Sequence, residues 1–287
     1  MILYVASYPR SGNTWCRNIL TQNFGLVTTS IYSGAREVIY YPLDEHITTT
    51  WANWEADNQP YIASLAVLSD TALVAELDQN STFYNIWVKP VDAAKDAAYH
   101  QKTCIHKGCQ HLLKHPVFRR YLSLKDELYI IKTHGLPEDR YFEGEKVIQL
   151  VRNPGPVFRS YQKYLAAHNK TISIMDLIFG RIKFGDWSRY HQAWFKAGET
   201  LADRYRLIQY EDMMADITAV LRRMEAFVES PIQQTEIQPF ETYQKKDAEF
   251  YTFGNSQNWQ AAFTRPELAL LRLRHGKLMR KLGYWGK

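Results

Sequence analysis

Three short runs carry residue types able to hold an anion and move a proton. The first is Ser7-Tyr8-Pro9-Arg10-Ser11-Gly12-Asn13-Thr14-Trp15, where an apolar run gives way to a helical pattern. A strand-to-helix turn of this kind aims backbone N–H groups and the positive helix end at one spot. Gly12 permits close backbone approach, Arg10 brings a fixed cation, and Ser11 and Thr14 add hydroxyl donors. By composition alone two readings stand side by side, an anion loop and a tight turn capped by Ser or Asn. The run lacks the Gly-Lys-Ser/Thr ending that seats a β,γ-phosphate and Mg²⁺.

The second run is Val147-Ile148-Gln149-Leu150-Val151-Arg152-Asn153-Pro154, a strand pattern ending in a proline-marked turn, with Ser160 in the helical pattern that follows. An Arg at a strand end can grip a phosphate through two parallel hydrogen bonds, and a helical Ser can add a donor. Arg152 suits a surface ion pair equally well. The third run, Lys132-Thr133-His134, closes another strand pattern. A neutral imidazole is suited to take a proton from an attacking hydroxyl, with a neighbouring ammonium to balance developing charge. A lone strand-end His is by default structural.

A fourth cluster, Cys104-Ile-His106-Lys-Gly-Cys109-Gln-His111, has metal-type ligands at close spacing. Structural zinc usually needs two separated pairs that converge, and no second pair is evident, so no metal is expected.

Four apolar runs read as buried parallel strands that position these groups: Ile2–Ser7, Leu128–Lys132, Lys146–Val151 and Tyr205–Gln209. Helical spacing marks Thr14–Asn23, Gly155–Ala167, Ile217–Val228 and Pro266–Leu282. The alternation implies an α/β fold, a parallel sheet with helices on both faces, with ligands beyond the carboxyl ends of the strands. The stretch from about 32 to 125 fits no such alternation. It is read as a largely helical insertion capping the site within one domain, residues 1–287.

With 287 residues, 46% hydrophobic and 23% charged, the composition is that of a globular chain with ample core. The net charge of +5 is spread along the chain, which suits an anionic ligand and argues against a nucleic-acid partner. No apolar run reaches the length of a membrane span, and the first residues lack a basic signal region, so a cytoplasmic location is expected. Three cysteines are too few for a disulfide framework and fit a reducing compartment.

The first run resembles the 5′-phosphosulfate loop of sulfotransferases that use 3′-phosphoadenosine 5′-phosphosulfate (PAPS), Tyr-Pro-Lys-Ser-Gly-Thr-Thr-Trp, with Arg10 in place of Lys and Asn13 in place of Thr. Arg152-Asn153-Pro154 … Ser160-Tyr161 resembles the 3′-phosphate signature of the same family, and Lys132-Thr133-His134 its catalytic triplet. Gly185-Asp186-Trp187 … His191 … Trp194, Tyr210-Glu211-Asp212 and Trp259 … Phe263-Thr264 resemble later segments. The likeness covers Ile2–Val27 and about Leu128–Tyr284.

The resemblance implies a P-loop-like sulfotransferase fold and an enzyme moving the sulfuryl group of PAPS to a hydroxyl or amine of a small or medium-sized acceptor. Adenosine 3′,5′-bisphosphate (PAP) is then the product, and no metal is needed. His134 is implied as base, with Lys132 and Arg10 beside the sulfate. Arg10, Ser11, Gly12, Asn13 and Thr14 hold the 5′ end, and Trp15 and Tyr210 lie near adenine. Arg152 and Ser160 hold the 3′-phosphate, with Gly254 from the C-terminal loop. The family's Arg-Lys pair before that glycine is replaced by Thr252-Phe253, which leaves Lys245 or Lys246 as substitutes. Its dimer motif is not intact at Gln260 … Thr264-Arg265, so the oligomeric state stays open. Two other readings stand beside this one: a phosphoryl-transfer enzyme of related fold, such as a nucleotide kinase, and a non-catalytic PAP-binding protein.

Overall fold

The computed structural model describes residues 1–30, 54–80, 88–90, 103–105, 113, 115–238, 242, 245 and 258–285. Five strands form one parallel sheet: β1 Ile2–Ser7, β2 Thr28–Ser30, β5 Tyr129–Thr133, β6 Glu145–Val151 and β7 Tyr205–Gln209, in the order β2-β5-β1-β6-β7. β1 is central and all six of its residues are buried, the pattern of a strand covered on both faces. A separate antiparallel pair joins β3 Val88–Pro90 to β4 Thr103–Ile105.

Alternate residues of each strand feed two cores. Tyr4, Ala6, Tyr129, Ile131, Val147 and Val151 face one, with α4 Pro116–Leu124, α5 Pro154–Ala167, α6 Ile174–Ile178, α7 Trp187–Leu201 and α10 Arg265–Lys281. Leu3, Val5, Ile130, Ile148 and Leu150 face the other, with α1 Asn13–Phe24, α8 Tyr210–Ala215 and α9 Ile217–Val228. The fold is therefore the expected parallel sheet with helices on both faces. The expected strands and helices lie within a residue or so of the observed ones. β2 is an addition, its three residues too short to show a pattern.

Within the stretch 32–125, the described residues include α2 Gln59–Leu65, α3 Asp70–Gln79, α4 and the β3–β4 pair. Of the Cys/His cluster, His106, Cys109 and His111 lie outside the described residues. No described helix is long and apolar enough to cross a membrane.

The amino-terminal edge of the sheet is braced by a buried ion pair. Glu145 opens β6, and its Oε1 and Oε2 accept from Arg119 Nε and Nη2 at 2.9 and 2.8 Å. The Tyr4 hydroxyl and the Phe142 N–H also donate to this carboxylate, at 2.7 and 2.8 Å. Arg119 is completed by Glu138 at 3.1 Å and the Arg140 carbonyl at 2.9 Å. A buried charge pair of this kind holds only because its hydrogen-bonding capacity is filled. It ties α4 to the sheet at the edge opposite the site.

Candidate active site

Register brings the three sequence runs to one edge. Ala6 of β1 pairs with Thr133 on one side and Gln149 on the other, so Ser7, His134 and Arg152 all leave the sheet at its carboxyl end. Between β1 and α1 the backbone turns through two left-handed residues, Arg10 at φ 69° and Gly12 at φ 94°. Gly12 has a second reason to be glycine, since a Cβ there would lie 2.5 Å from the Tyr210 ring. α1 starts with neither a side-chain cap nor an acidic residue in its first turn. Ser11 is fully buried, and its Oγ has no hydrogen-bond partner among the described residues. Thr14 is half-buried. The Asn13 side chain turns inward: its Nδ2 donates to the Val5 carbonyl at 2.9 Å and to Ser7 Oγ at 3.1 Å. Only the backbone of Asn13 is left to serve the turn's mouth.

The Arg152 turn closes over this loop. Its Nη1 donates to the Arg10 carbonyl at 3.3 Å, and its guanidinium lies 3.9 Å from the Tyr210 ring centroid. Arg10 reaches back, its Nε donating to Ser160 Oγ at 3.0 Å with the guanidinium over the Tyr164 ring. The two candidate anion sites are thus cross-braced through Arg10 and Arg152. Burial lowers the Arg152 pKa from its ordinary value. Glu211 accepts from the Asn153 N–H at 3.1 Å, and burial raises its pKa while Arg152 acts to lower it. Trp15 is buried with its edge toward Tyr210, ring centroids 5.6 Å apart.

His134 stands against β1. Its Nδ1 is 2.6 Å from the Ser7 carbonyl and 3.3 Å from Ser7 Oγ. A carbonyl only accepts, so the proton sits on Nδ1 and the lone pair on Nε2. Although part of its surface is open, enclosure pushes the pKa of His134 down to about 3; Lys132, Arg17 and Arg10 push the same way. Phe184 meets the ring edge-on at 5.5 Å. Trp194 donates from Nε1 to the Gly135 carbonyl at 3.1 Å, securing the strand end from behind. Lys132 is itself buried.

The arrangement can hold a dianion against Arg10, Lys132 and helix N–H groups while a neutral imidazole faces the same edge. A family comparison matches the model described as "Sulfotransferase domain" over residues 3–269. The chain belongs to this sulfotransferase family. Among solved structures, mouse sulfotransferase SULT7A1 complexed with PAP is similar at 13% identity, covering 98% of this chain and 88% of that one, with a TM-score of 0.53. Retinol dehydratase in complex with androsterone and inactive cofactor PAP is similar at 15% identity, covering 97% and 80%, with a TM-score of 0.51. No curated protein matches by sequence. The family decides among the three readings: this is a sulfotransferase enzyme.

Of the residues expected to serve the sulfotransferase, Gly254 and Lys246 lie outside the described residues, as do Thr252 and Phe253 in place of the family's Arg-Lys pair, and Lys245 is exposed. Sequence reasoning missed four contacts: Asn13 and Ser7 behind His134, Phe184 at its face, and Tyr164 under Arg10. It also missed that Trp259 lies flush on Gly155, where a Cβ would come within 2.1 Å of the indole. Arg159 extends this seam, with its guanidinium 4.4 Å from the Phe263 ring centroid. The sign available in advance was Asn13 itself, an amide where the resembled loop has a hydroxyl.

Proposed function

We propose that this sulfotransferase takes its sulfuryl group from PAPS and passes it to a hydroxyl or amine of a small or medium-sized acceptor, with His134 as general base. The observation that carries the reading is one sheet edge holding three cations, Arg10, Lys132 and Arg152, beside an imidazole whose proton is on Nδ1. The buried Ser11 Oγ, with no hydrogen-bond partner among the described residues, fits a group seated in the loop. PAP in both similar solved structures supports this donor, and androsterone in one of them supports a small acceptor.

In this reading Arg10, Ser11, Thr14 and the backbone at Gly12 and Asn13 bind the 5′ end. Arg152 and Ser160 bind the 3′-phosphate, with the Gly254 region beside them. Trp15 and Tyr210 flank adenine. When bound, PAPS supplies an activated sulfur with PAP as leaving group. His134 Nε2 would take the proton of the acceptor hydroxyl or amine as its oxygen or nitrogen bonds to sulfur and the bond from sulfur to the 5′-phosphate oxygen breaks. Lys132 and Arg10 balance the charge gathering on the departing oxygen. Anionic charge set against these cations also offsets their share of the depressed His134 pKa, making the imidazole a better base once the donor is in place. The chain acts as a single domain, and the enzyme works in the cytoplasm.

The test is turnover of PAPS over a panel of hydroxylated acceptors by the wild type and His134→Ala. Loss of about 10²–10⁴-fold in kcat, with PAP still binding in calorimetry, is expected. Near wild-type kcat in the variant refutes His134 as base.

A further inference from the structure

Asn13 stands where the resembled loop has a hydroxyl residue, yet its side chain is turned away from the loop mouth. Its carboxamide has two protons, one given to the Val5 carbonyl at 2.9 Å and the other to Ser7 Oγ at 3.1 Å. The assignment of Nδ2 is fixed by the first contact, because two carbonyl oxygens cannot share a hydrogen bond. Its Oδ1 is buried with no hydrogen-bond partner among the described residues. Ser7, fully buried, in turn offers its carbonyl and Oγ to His134 Nδ1, at 2.6 and 3.3 Å.

From this chain of contacts we infer that Asn13 and Ser7 are positioning residues that fix the ring orientation and tautomer of His134. The inference rests on the reading of His134 as base. β1 ends at Ser7, where sheet pairing no longer holds the backbone. Asn13, in the first turn of α1, bonds on both sides of Val5–Ser7 and so holds that strand end against the helix. A threonine at position 13 has a single hydroxyl proton and can reach at most one of the two acceptors. The Asn therefore trades a donor to the loop for control of the imidazole. With the Nδ1 proton shared between two acceptors of one residue, the ring cannot flip without abandoning both, and Nε2 is kept as the face that takes a proton.

The test combines ¹⁵N NMR of the His134 ring with kinetics. The wild-type protein should show one tautomer, protonated at Nδ1. Asn13→Ala and Asn13→Thr should lose that single pattern, and kcat should fall by about ten- to a hundredfold, the range that a small misplacement of a reacting group can cost. PAP affinity should change by much less than kcat. A wild-type proton on Nε2, or variants that keep both tautomer and kcat, would overturn the inference. Loss of PAP affinity at full kcat would also overturn it, by assigning Asn13 to the donor. If the Asn13 variants do not fold, Ser7→Ala serves: it keeps the carbonyl and removes the second acceptor, and an unchanged kcat there overturns the inference. Should His134→Ala keep its turnover, the base reading fails, while the tautomer result still judges this one separately.

Discussion

Two buried arginines at opposite edges of the same sheet are treated in opposite ways. At the amino-terminal edge, Arg119 meets the carboxylates of Glu145 and Glu138, and its pKa is raised despite burial. At the carboxyl edge, Arg152 meets the Tyr210 ring and the Arg10 carbonyl, and burial lowers its pKa although Glu211 acts in the opposite sense. A buried cation matched by a carboxylate is a brace whose charge is used up inside the fold. A buried cation whose charge burial disfavours on balance is one that an arriving anion can favour. The difference separates the structural edge from the working edge, although the residue type is the same.

The largest expected effect would break the brace. Glu145→Ala leaves Arg119 buried without its main partner and should cost about 3–5 kcal/mol of stability in denaturant unfolding. The site lies at the other edge, so PAP affinity of the folded fraction should be unchanged. A loss of affinity equal to the loss of stability would erase the distinction between the edges.

Arg152→Ala asks the converse. It should weaken PAP by about 1.5–3 kcal/mol in calorimetry, the worth of hydrogen bonds to a charged group. Adenosine 5′-phosphate, which lacks the 3′-phosphate, should bind much as before. Thermal stability should fall by less than in Glu145→Ala, because burial already disfavours the Arg152 charge. A stability loss as large as that of Glu145→Ala would make Arg152 a second brace.

The smallest effect concerns buried groups left neutral. His191 and His275 are fully buried, and burial lowers their pKa values to about 3 and 4. Their ordinary value is 6.5, so below it the unfolded chain binds protons that the folded chain refuses. Stability should therefore fall as pH drops from 6.5 to about 5.5. The loss over that unit should be about 1.4 kcal/mol per imidazole. His275→Gln should flatten this dependence in unfolding curves recorded at several pH values. An equal slope in the variant would show that other groups control the acid limb.

Much of the fold was legible because β1, β5 and β6 are covered on both faces and so read as continuous apolar runs. The order of the runs also put His134, Arg10 and Arg152 at one edge, since parallel strands end together. β2 was not legible, because three residues carry no periodicity. Nor was the inward turn of Asn13: residue type says what an amide can donate, while its direction depends on where Val5 and Ser7 lie in three dimensions. The same holds for Tyr164, whose contact with Arg10 joins two segments far apart in the chain.

Trp259 resting on Gly155 ties the two positions together over evolutionary time. A side chain at 155 would meet the indole at 2.1 Å, so the glycine can change only after the ring shrinks or shifts. A smaller residue at 259 would in turn leave a void over the first turn of α5. Each substitution is damaging alone and tolerable only in company. Among related chains the pair should therefore drift as a unit, and it should stay frozen wherever the tryptophan is kept.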